Sequence, residues 1–243
     1  MLKEPNKLSP DEVEAIEKQS LRSLFLAAKD FAFDAFDIFE QSSDDQKDIA
    51  EDITREMLER LGGYRVEKRI LGNVDYRKAR YVVLPEYATR QALFVDSKAE
   101  KTSSSATLQM SQLSLGVYQL RSGVEMAEKG AIQPVSIHGG LEFISTTLLA
   151  HYYYEQPSPS KPNRLSQLTL AAIPNGRLQK KYNPSSKDSI WIVGRNAPTR
   201  GEDFRVRLSF NRLSAKAAWR IQRLTYDPVK RSVRGEWSEG DAD

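Results

Sequence analysis

Hydrophobic positions recur at helical spacing along the N-terminal part of the chain. A capping box at 9–12, with proline at the first helical position, begins a predicted helix that ends near Glu40. A second predicted helix covers about 44–61 and stops at the glycine pair 62–63. The N-terminal quarter of the chain is therefore predicted to be helical.

From Tyr64 onward the pattern is that of β-strands, with alternating or continuous apolar runs between turn residues. The run at 91–98 begins with continuous apolar residues, so we expect it in the interior of a sheet. We expect the Ser/Thr-rich stretch 102–113 to be a loop that leads into a helix continuing towards Ala127. The predicted strands lie at 64–71, 74–85, 91–98, 141–155, 165–173, 190–194 and 204–213. Since no repeat or long linker divides the chain, the pattern predicts a single α/β domain with a central mixed β-sheet flanked by helices.

Charge is distributed unevenly along the chain. Of 243 residues, 40% are hydrophobic and 28% are charged, which is ordinary for a soluble globular protein. Residues 1–60 carry 8 basic and 16 acidic side chains, whereas residues 161–235 carry 17 basic and 4 acidic ones. This asymmetry indicates a basic C-terminal face and a polyanionic partner such as nucleic acid. The alternative is a solvated surface whose charge is balanced elsewhere in the fold.

Several kinds of site are disfavoured by what the chain lacks. Without cysteine there is no disulfide and no thiolate metal site, which fits a cytoplasmic protein. Only two histidines occur, His138 and His151, so a zinc site built from several imidazoles is disfavoured, and each histidine is expected to be structural. The chain has no apolar run long enough to cross a membrane and no apolar signal core at its N-terminus.

The apolar strand at 91–98 ends in charged residues. Asp96 and Lys98 are two positions apart, so both side chains project from one face of the strand where it leaves the core. A second acid, Asp75, follows a Gly-Asn turn at 72–73 and lies near the start of another predicted strand. If the two strands pair, the two carboxylates can meet at one end of the sheet with the lysine beside them.

This trio has a defined chemical use. Two neighbouring carboxylates repel each other, and a hard divalent cation such as Mg²⁺ relieves that repulsion while also binding a substrate phosphate. A nearby lysine can orient or help to deprotonate the attacking water, or stabilise charge on the phosphate. Such a site hydrolyses a phosphodiester. The alternative is a salt bridge at a strand end, because an acid two positions before a lysine often occurs by chance.

A longer stretch carries a resemblance. Residues 73–101, "NVDYRKARYVVLPEYATRQALFVDSKAEK", resemble the PD-(D/E)XK nucleases, and among them the type II restriction endonucleases of the SfiI and BglI kind. Segments such as "LSPDEVEAIEKQSLRSLF", "TLQMSQL" and "PTRGEDFRVRLSFNRL" resemble the same enzymes in the same order. Val74 stands where the family signature has proline, a departure that members of the family share. The resemblance implies a restriction-endonuclease-like fold with an N-terminal helical part at 1–62, a catalytic core at 63–130, and the remaining sheet and DNA-recognition part at 131–235.

The resemblance also implies roles for the acids and the lysine. Asp75 and Asp96 would ligate Mg²⁺, and Lys98 would be the catalytic lysine. Related folds often add an acid from the helix that precedes the catalytic sheet, for which Glu51 and Asp52 are the candidates. For both of these acids the alternative is a solvated helix face.

The basic C-terminal region gains a role from the same resemblance, since enzymes of this kind read bases with their C-terminal strand region. Arg205 and Arg207 share one strand face, and each could donate two hydrogen bonds to guanine. Arg195 and Arg200 precede this strand and could reach bases or phosphates. For any one arginine the alternative is a phosphate contact, which positions the protein without specifying sequence. Further expected phosphate contacts are Lys101, Thr102 and Ser103, and less firmly Lys180 and Lys181.

The sequence thus predicts a Mg²⁺-dependent type II restriction endonuclease that acts on double-stranded DNA. The resemblance implies a specific, interrupted, GC-containing palindrome, 5′-phosphate ends and a 3′ overhang. A palindromic site calls for at least a homodimer, and the resemblance implies a homotetramer. The alternatives are a repair or recombination nuclease that reads DNA structure, and a DNA-binding protein without catalysis.

Overall fold

The structure, a computed structural model, describes residues 3–42, 45–61, 65–71, 78–84, 89–156, 163–193, 205–227 and 229–240, and of 65–71 and 78–84 the backbone alone. The helices are α1 Pro10–Gln41, α2 Gln46–Glu59, α3 Gln179–Tyr182 and α4 Phe210–Lys216. The strands are β1 Arg65–Leu71, β2 Lys78–Leu84, β3 Thr89–Glu100, β4 Ser105–Gln109, β5 Val117–Arg121, β6 Val124–Glu128, β7 Val135–His138, β8 Leu141–Glu155, β9 Arg164–Ile173, β10 Trp191–Ile192, β11 Arg205–Ser209, β12 Ile221–Asp227 and β13 Ser232–Arg234. Short 3-10 turns cover Pro5–Lys7, Met110–Gln112, Gly176–Leu178 and Ala218–Arg220.

Both predicted N-terminal helices are present. At the start of α1 the Ser9 hydroxyl accepts a hydrogen bond from the Glu12 amide (3.3 Å), and the Glu12 carboxylate accepts one from the Ser9 amide (2.8 Å), which completes the predicted capping box. The buried stripe of α1 packs on β8, β9 and β12, while α2 packs on α1 and β3. The two helices form a layer along the central sheet. None of the described helices combines the length and the apolar character needed to cross a membrane.

The central sheet has the strand order β1–β2–β3–β8–β9–β12–β13, with β7 also paired to β8. The strands β3 and β8 run parallel, and the other neighbours run antiparallel. The predicted mixed sheet within a single α/β domain is therefore confirmed. Parallel pairing of β3 and β8 sets Asp96 beside Leu149 and Lys98 beside His151.

The strand that carries the acid–lysine pair lies inside this sheet, between β2 and β8, as its apolar run predicts. The Ser97 hydroxyl donates to the Thr54 hydroxyl of α2 (2.8 Å), so this face of β3 is covered by the helix layer. Because side chains alternate along a strand, Asp96 and Lys98 lie on the opposite face. The strand β2 begins at Lys78, and its next residue pairs with Phe94, so β2 starts beside the Asp96 end of β3.

The loop and helix expected between 102 and 127 are not formed. The chain instead builds β4, the 3-10 turn Met110–Gln112 and the hairpin β5–β6. In that hairpin Gln119 faces inward at 2% exposure while Leu120 faces outward at 48%, which reverses the usual polarity and hides the strand pattern. Ser122 and Gly123 form the turn with φ of 49° and 82°, the left-handed geometry that favours tight hairpins.

The strands β10, β11 and β4 form a separate three-stranded sheet in that order, called the small sheet below. Val206 and Leu208 of β11 are fully buried, and Arg205 and Arg207 occupy the other face, so the predicted alternation is confirmed there. The predicted strand 204–213 was too long, because α4 begins at Phe210 with the Ser209 hydroxyl as its cap. The small sheet lies over the face of β3 opposite the helices, because Arg207 contacts Glu100 of β3. The central sheet is therefore enclosed by helices on one side and the small sheet on the other, with the acid–lysine pair on the second side.

Candidate active site

Asp96 and Lys98 contact each other at the end of β3. The Lys98 ammonium lies 3.1 Å from Oδ2 and 3.4 Å from Oδ1 of Asp96. The two side chains are 18% and 24% exposed, respectively, so the pair is partly accessible to solvent. The prediction that these two residues share one face is confirmed.

Within the described residues the two oxygens of the Asp96 carboxyl group differ, because Oδ1 accepts hydrogen bonds whereas Oδ2 has an ion pair without one. The Gln112 side chain donates from Nε2 to Asp96 Oδ1 (2.6 Å), and its Oε1 accepts from the Gln109 backbone amide (2.9 Å). The backbone contact fixes the orientation of the Gln112 amide, because only an oxygen can accept from the amide hydrogen. Asp96 Oδ2 is buried and, within the described residues, has the Lys98 ion pair but no hydrogen bond.

Burial raises the pKa of Asp96 above its ordinary value, since the charged form loses its water. The Lys98 ammonium opposes this shift most strongly, and the Gln112 amide opposes it more weakly. The charge of Glu51 acts with burial to raise the pKa of Asp96 further. The carboxyl therefore lies where an added positive charge would stabilise its ionised form.

A third charged residue, Glu100, follows on the same face of β3. Its Oε1 accepts from the Thr107 backbone amide of β4 (3.2 Å), and its Oε2 lies 3.4 Å from Arg207 of β11 and 3.6 Å from Nε2 of His151. Burial acts to raise the pKa of Glu100, but the contacts with His151 and Thr107 outweigh it and lower that pKa. Glu100 is therefore a charged contact between the central and the small sheet.

The candidate acids of α2 lie outside the direct contacts of Asp96. Glu51 pairs with Lys47 of the same helix (3.7 Å), and Asp52 pairs with Arg55 (2.8 Å). Both carboxylates are exposed at 44% and 66%. Glu51 is near enough for its charge to act on Asp96, so its catalytic role stays a prediction.

The segment of α2 that bears Glu51 is fixed to β3 by a buried hydroxyl cluster. The Thr54 hydroxyl donates to the Ala50 carbonyl, accepts from Ser97, and bonds the Tyr152 hydroxyl, each at 2.8 Å. Burial raises the pKa of Tyr152, so this phenol stays protonated and available as a donor. The cluster sets the spacing between α2 and the acid–lysine strand.

Among the described residues, no group of three or more acids, histidines or cysteines is arranged to hold a metal ion. The predicted second carboxylate, Asp75, lies outside the residues that the structure describes. Of the two predicted metal ligands, the described part therefore contains Asp96 alone, whose Oδ2 has no hydrogen bond there.

The predicted DNA contacts fall into three groups. Arg205 and Arg207 lie on β11, and the Nε of each is buried without a hydrogen-bond partner in the described ranges. Arg195 and Arg200 lie outside the described residues. The remaining predicted contacts are Lys101, Thr102 and Ser103, in the connection from β3 to β4, and the exposed Lys180 and Lys181 of α3, of which the latter pairs with Glu14.

Sequence reasoning missed Gln112, Glu100 and Thr54. Glu100 could have been found, because it continues the two-residue spacing of Asp96 and Lys98 along one strand face. Gln112 gave no such signal, since it reaches Asp96 across a turn that the sequence pattern did not predict. His151 is fully buried beside Phe210, with ring centres 5.2 Å apart. Its position on the acid–lysine face was not foreseen.

Two solved structures share this fold. The crystal structure of tetrameric restriction endonuclease SfiI bound to cognate DNA matches with a TM-score of 0.87 and 29% identity, covering 99% of this chain and 94% of that one. The crystal structure of restriction endonuclease BglI bound to its DNA recognition sequence matches with a TM-score of 0.71 over 88% of this chain and 90% of that one. Its 15% identity supports the fold alone. The fold, with an acid–lysine pair at a strand end, defines the class of type II restriction endonucleases.

Sequence comparison identifies the family within that class. The family model described as type II restriction enzyme SfiI matches residues 24–224. SfiI of Streptomyces fimbriatus is 31% identical over 245 residues, which covers 96% of this chain and 91% of that enzyme. This chain belongs to the SfiI family of type II restriction enzymes.

Proposed function

We propose that this restriction endonuclease hydrolyses double-stranded DNA with Mg²⁺ at a specific, interrupted, GC-containing palindrome. It leaves 5′-phosphate ends and a 3′ overhang, and it acts in the cytoplasm. The observation that carries the proposal is the contact between Asp96 and Lys98, two partly exposed side chains near the end of β3. The site preference and the ends are inferred from membership of the SfiI family.

The state of Asp96 fits a divalent cation. Its Oδ2 is withdrawn from water and has no hydrogen bond among the described residues, so it has a lone pair to give to a metal. We assign Asp75 as the second carboxylate, because it precedes the strand β2, which begins beside the Asp96 end of β3. Bound there, Mg²⁺ would neutralise charge on the phosphate and lower the pKa of water. Glu51 is assigned as a further acid that acts through its charge.

Lys98 supplies the positive charge that the chemistry needs. Its ammonium is anchored by Asp96, and the side chain as a whole remains 24% exposed, so a phosphate can approach it. From that place it orients the attacking water and stabilises the charge that develops on the phosphate oxygens. Asp96 holds Lys98 in position.

The DNA contacts surround this pair. Arg205 and Arg207 present their guanidinium groups from one face of β11 and read guanine in the major groove. Lys101, Thr102 and Ser103 connect the acid–lysine strand to the small sheet and contact phosphates next to the cut. We assign Arg195 and Arg200 to the same DNA surface, because residues 161–235 carry an excess of basic charge. Lys180 and Lys181 are assigned to it for the same reason.

A symmetric site requires a symmetric protein, so we propose a homodimer as the unit that reads one palindrome and a homotetramer as the complete enzyme. The tetrameric state of SfiI in its complex with cognate DNA supports this. The helix α1 exposes Leu26 (58%) and Phe33 (42%), apolar side chains that would be covered in subunit contacts.

The test is a digest of plasmid DNA of known sequence with and without Mg²⁺, followed by mapping of both ends of each fragment. We expect discrete fragments whose ends share one interrupted palindrome, and no cleavage without the metal. A nuclease that reads DNA structure would cut branched or mismatched DNA and leave plain plasmid without discrete fragments. A binding protein without catalysis would leave the plasmid intact under all conditions.

A further inference from the structure

The small sheet is joined to the acid–lysine strand by two side chains that the proposed chemistry does not yet use. Gln112 contacts Asp96, and Glu100 contacts Arg207. Both contacts cross from elements of the small sheet, or the turn that follows it, to β3. Each of the two links includes a charged group, Asp96 in the first and Glu100 with Arg207 in the second.

The first link starts at the strand that carries Arg205. In the pairing of β11 with β4, Arg205 lies opposite Gln109. The Gln109 backbone amide donates to Gln112 Oε1, and Gln112 Nε2 donates to Asp96 Oδ1 over only 2.6 Å. The contacts therefore lead from the cross-strand neighbour of a predicted base-reading residue, through one side chain, to a predicted metal ligand.

The second link starts two residues further along β11. Arg207 lies opposite Thr107 of β4, whose backbone amide donates to Glu100 (3.2 Å). Glu100 Oε2 also lies 3.4 Å from the Arg207 guanidinium and 3.6 Å from the buried His151. One carboxylate of β3 thus holds both the side chain of Arg207 and the backbone of the strand beside it.

We propose that Gln112 and Glu100 are positioning residues that couple base reading to cleavage. Gln112 holds Asp96 so that Oδ2 is left for the metal, and Glu100 holds Arg207 in its base-reading orientation. This inference rests on the proposed function, because it takes Arg205 and Arg207 as readers and Asp96 as a ligand. Cognate DNA that places β11 correctly then also places the Asp96 carboxyl group, which serves the chemical step.

Gln112→Met tests the first link, because methionine has similar length and no donor. We expect the single-turnover cleavage rate on cognate DNA to fall by about 10- to 100-fold, the usual effect of losing a residue that orients a metal ligand. The Mg²⁺ concentration for half-maximal rate should rise, and the Mn²⁺ affinity of the protein alone, measured by calorimetry, should fall. Cognate affinity in Ca²⁺ should stay unchanged. The matched control is Gln167→Met on β9, where Gln167 donates to Thr169 (2.7 Å) far from β11.

Glu100→Gln tests the second link. Glutamine keeps the shape and the Thr107 contact but loses the charge that holds Arg207. We expect the preference for cognate DNA over DNA with one changed base pair, measured by binding in Ca²⁺, to fall by roughly fivefold or more, since one bidentate base contact gives about 5- to 150-fold. The matched control is Glu155→Gln, at the end of β8, whose carboxylate pairs with Arg164.

Each outcome decides the proposal. An unchanged rate and Mg²⁺ dependence in Gln112→Met, or an unchanged preference in Glu100→Gln, overturns the corresponding link. If Gln112→Met loses cognate binding, Gln112→Ala is measured in the same way, and loss of binding in both variants counts against positioning and for a structural role. Failure of the proposed function is recognised separately, because wild-type protein with Mg²⁺ would then leave plasmid uncut.

Discussion

Two carboxyl groups withdrawn from water show how this molecule uses buried charge in different ways. Glu17 of α1 is 1% exposed, and both its oxygens accept hydrogen bonds. One accepts from the Asn175 backbone amide (2.6 Å), and the other accepts from the Arg220 guanidinium (2.7 Å). Arg220 is itself fully buried between the rings of Tyr182 and Trp219, 4.2 and 4.4 Å from their centres. Both oxygens of the Glu17 carboxylate therefore have partners within the protein.

Asp96 is the opposite case. One of its oxygens is held by Gln112, and the other has an ion pair with Lys98 but no hydrogen bond among the described residues. Its side chain as a whole is 18% exposed, although Oδ2 itself is buried. Burial raises the pKa of both carboxyl groups, that of Glu17 and that of Asp96. The difference in hydrogen bonding separates a buried carboxyl whose partners lie within the protein from one that, in the proposed function, binds a metal.

The largest effect is expected at the site. Lys98→Ala removes the ammonium that orients water and stabilises phosphate charge, so the cleavage rate should fall by about 10²- to 10⁴-fold. Because the lysine serves the chemical step, Ca²⁺-supported binding to cognate DNA should remain, as measured by gel shift. Loss of specific binding together with activity would show that Lys98 serves DNA binding instead.

The next effect is expected in the core. Arg220→Met leaves the Glu17 carboxylate buried without its cation, so we expect the free energy of unfolding to fall by about 3–5 kcal/mol in urea denaturation. The control Arg234→Met removes an exposed pair with Asp227 and should cost less than about 1 kcal/mol. Equal losses in the two variants would remove the distinction between the buried cluster and the surface pairs.

A smaller effect is expected for base reading. Arg205→Ala should weaken binding to cognate DNA by about 1–3 kcal/mol and binding to unrelated DNA much less, because a bidentate base contact is made only at the cognate site. Competition binding in Ca²⁺ with both DNAs provides the measurement. Equal weakening on the two DNAs would make Arg205 a phosphate contact.

The smallest effect is expected where hydrogen bonding is complete but no charge is involved. Thr54→Val removes the hydroxyl shared by Ser97, Tyr152 and Ala50, so stability should fall by about 1–2 kcal/mol. Since Thr54 does not touch Asp96 or Lys98, the cleavage rate of the folded variant should change little. A rate loss as large as that of Lys98→Ala would show that the α2 spacing belongs to the catalytic machinery.

The helices, the interior position of β3 and the acid–lysine pair were predictable because each depends on near neighbours in sequence. The capping box at Ser9 and the two-residue spacing of Asp96 and Lys98 are both local signals. The hairpin β5–β6 was missed because Gln119 faces inward and Leu120 outward, against the usual rule. The contact of Glu17 with Arg220 joins residues 203 positions apart, and no pattern in a single sequence predicts such a pair.

The central claim, that Asp96 is a carboxylate kept for a metal and for cleavage, is tested most directly by Asp96→Asn. The amide keeps the shape of the side chain and removes the charge. We expect this variant, with Mg²⁺ in excess and an unchanged melting temperature, to leave a plasmid with wild-type cut sites uncut. The same fragments produced at a rate close to that of the wild type would contradict the account.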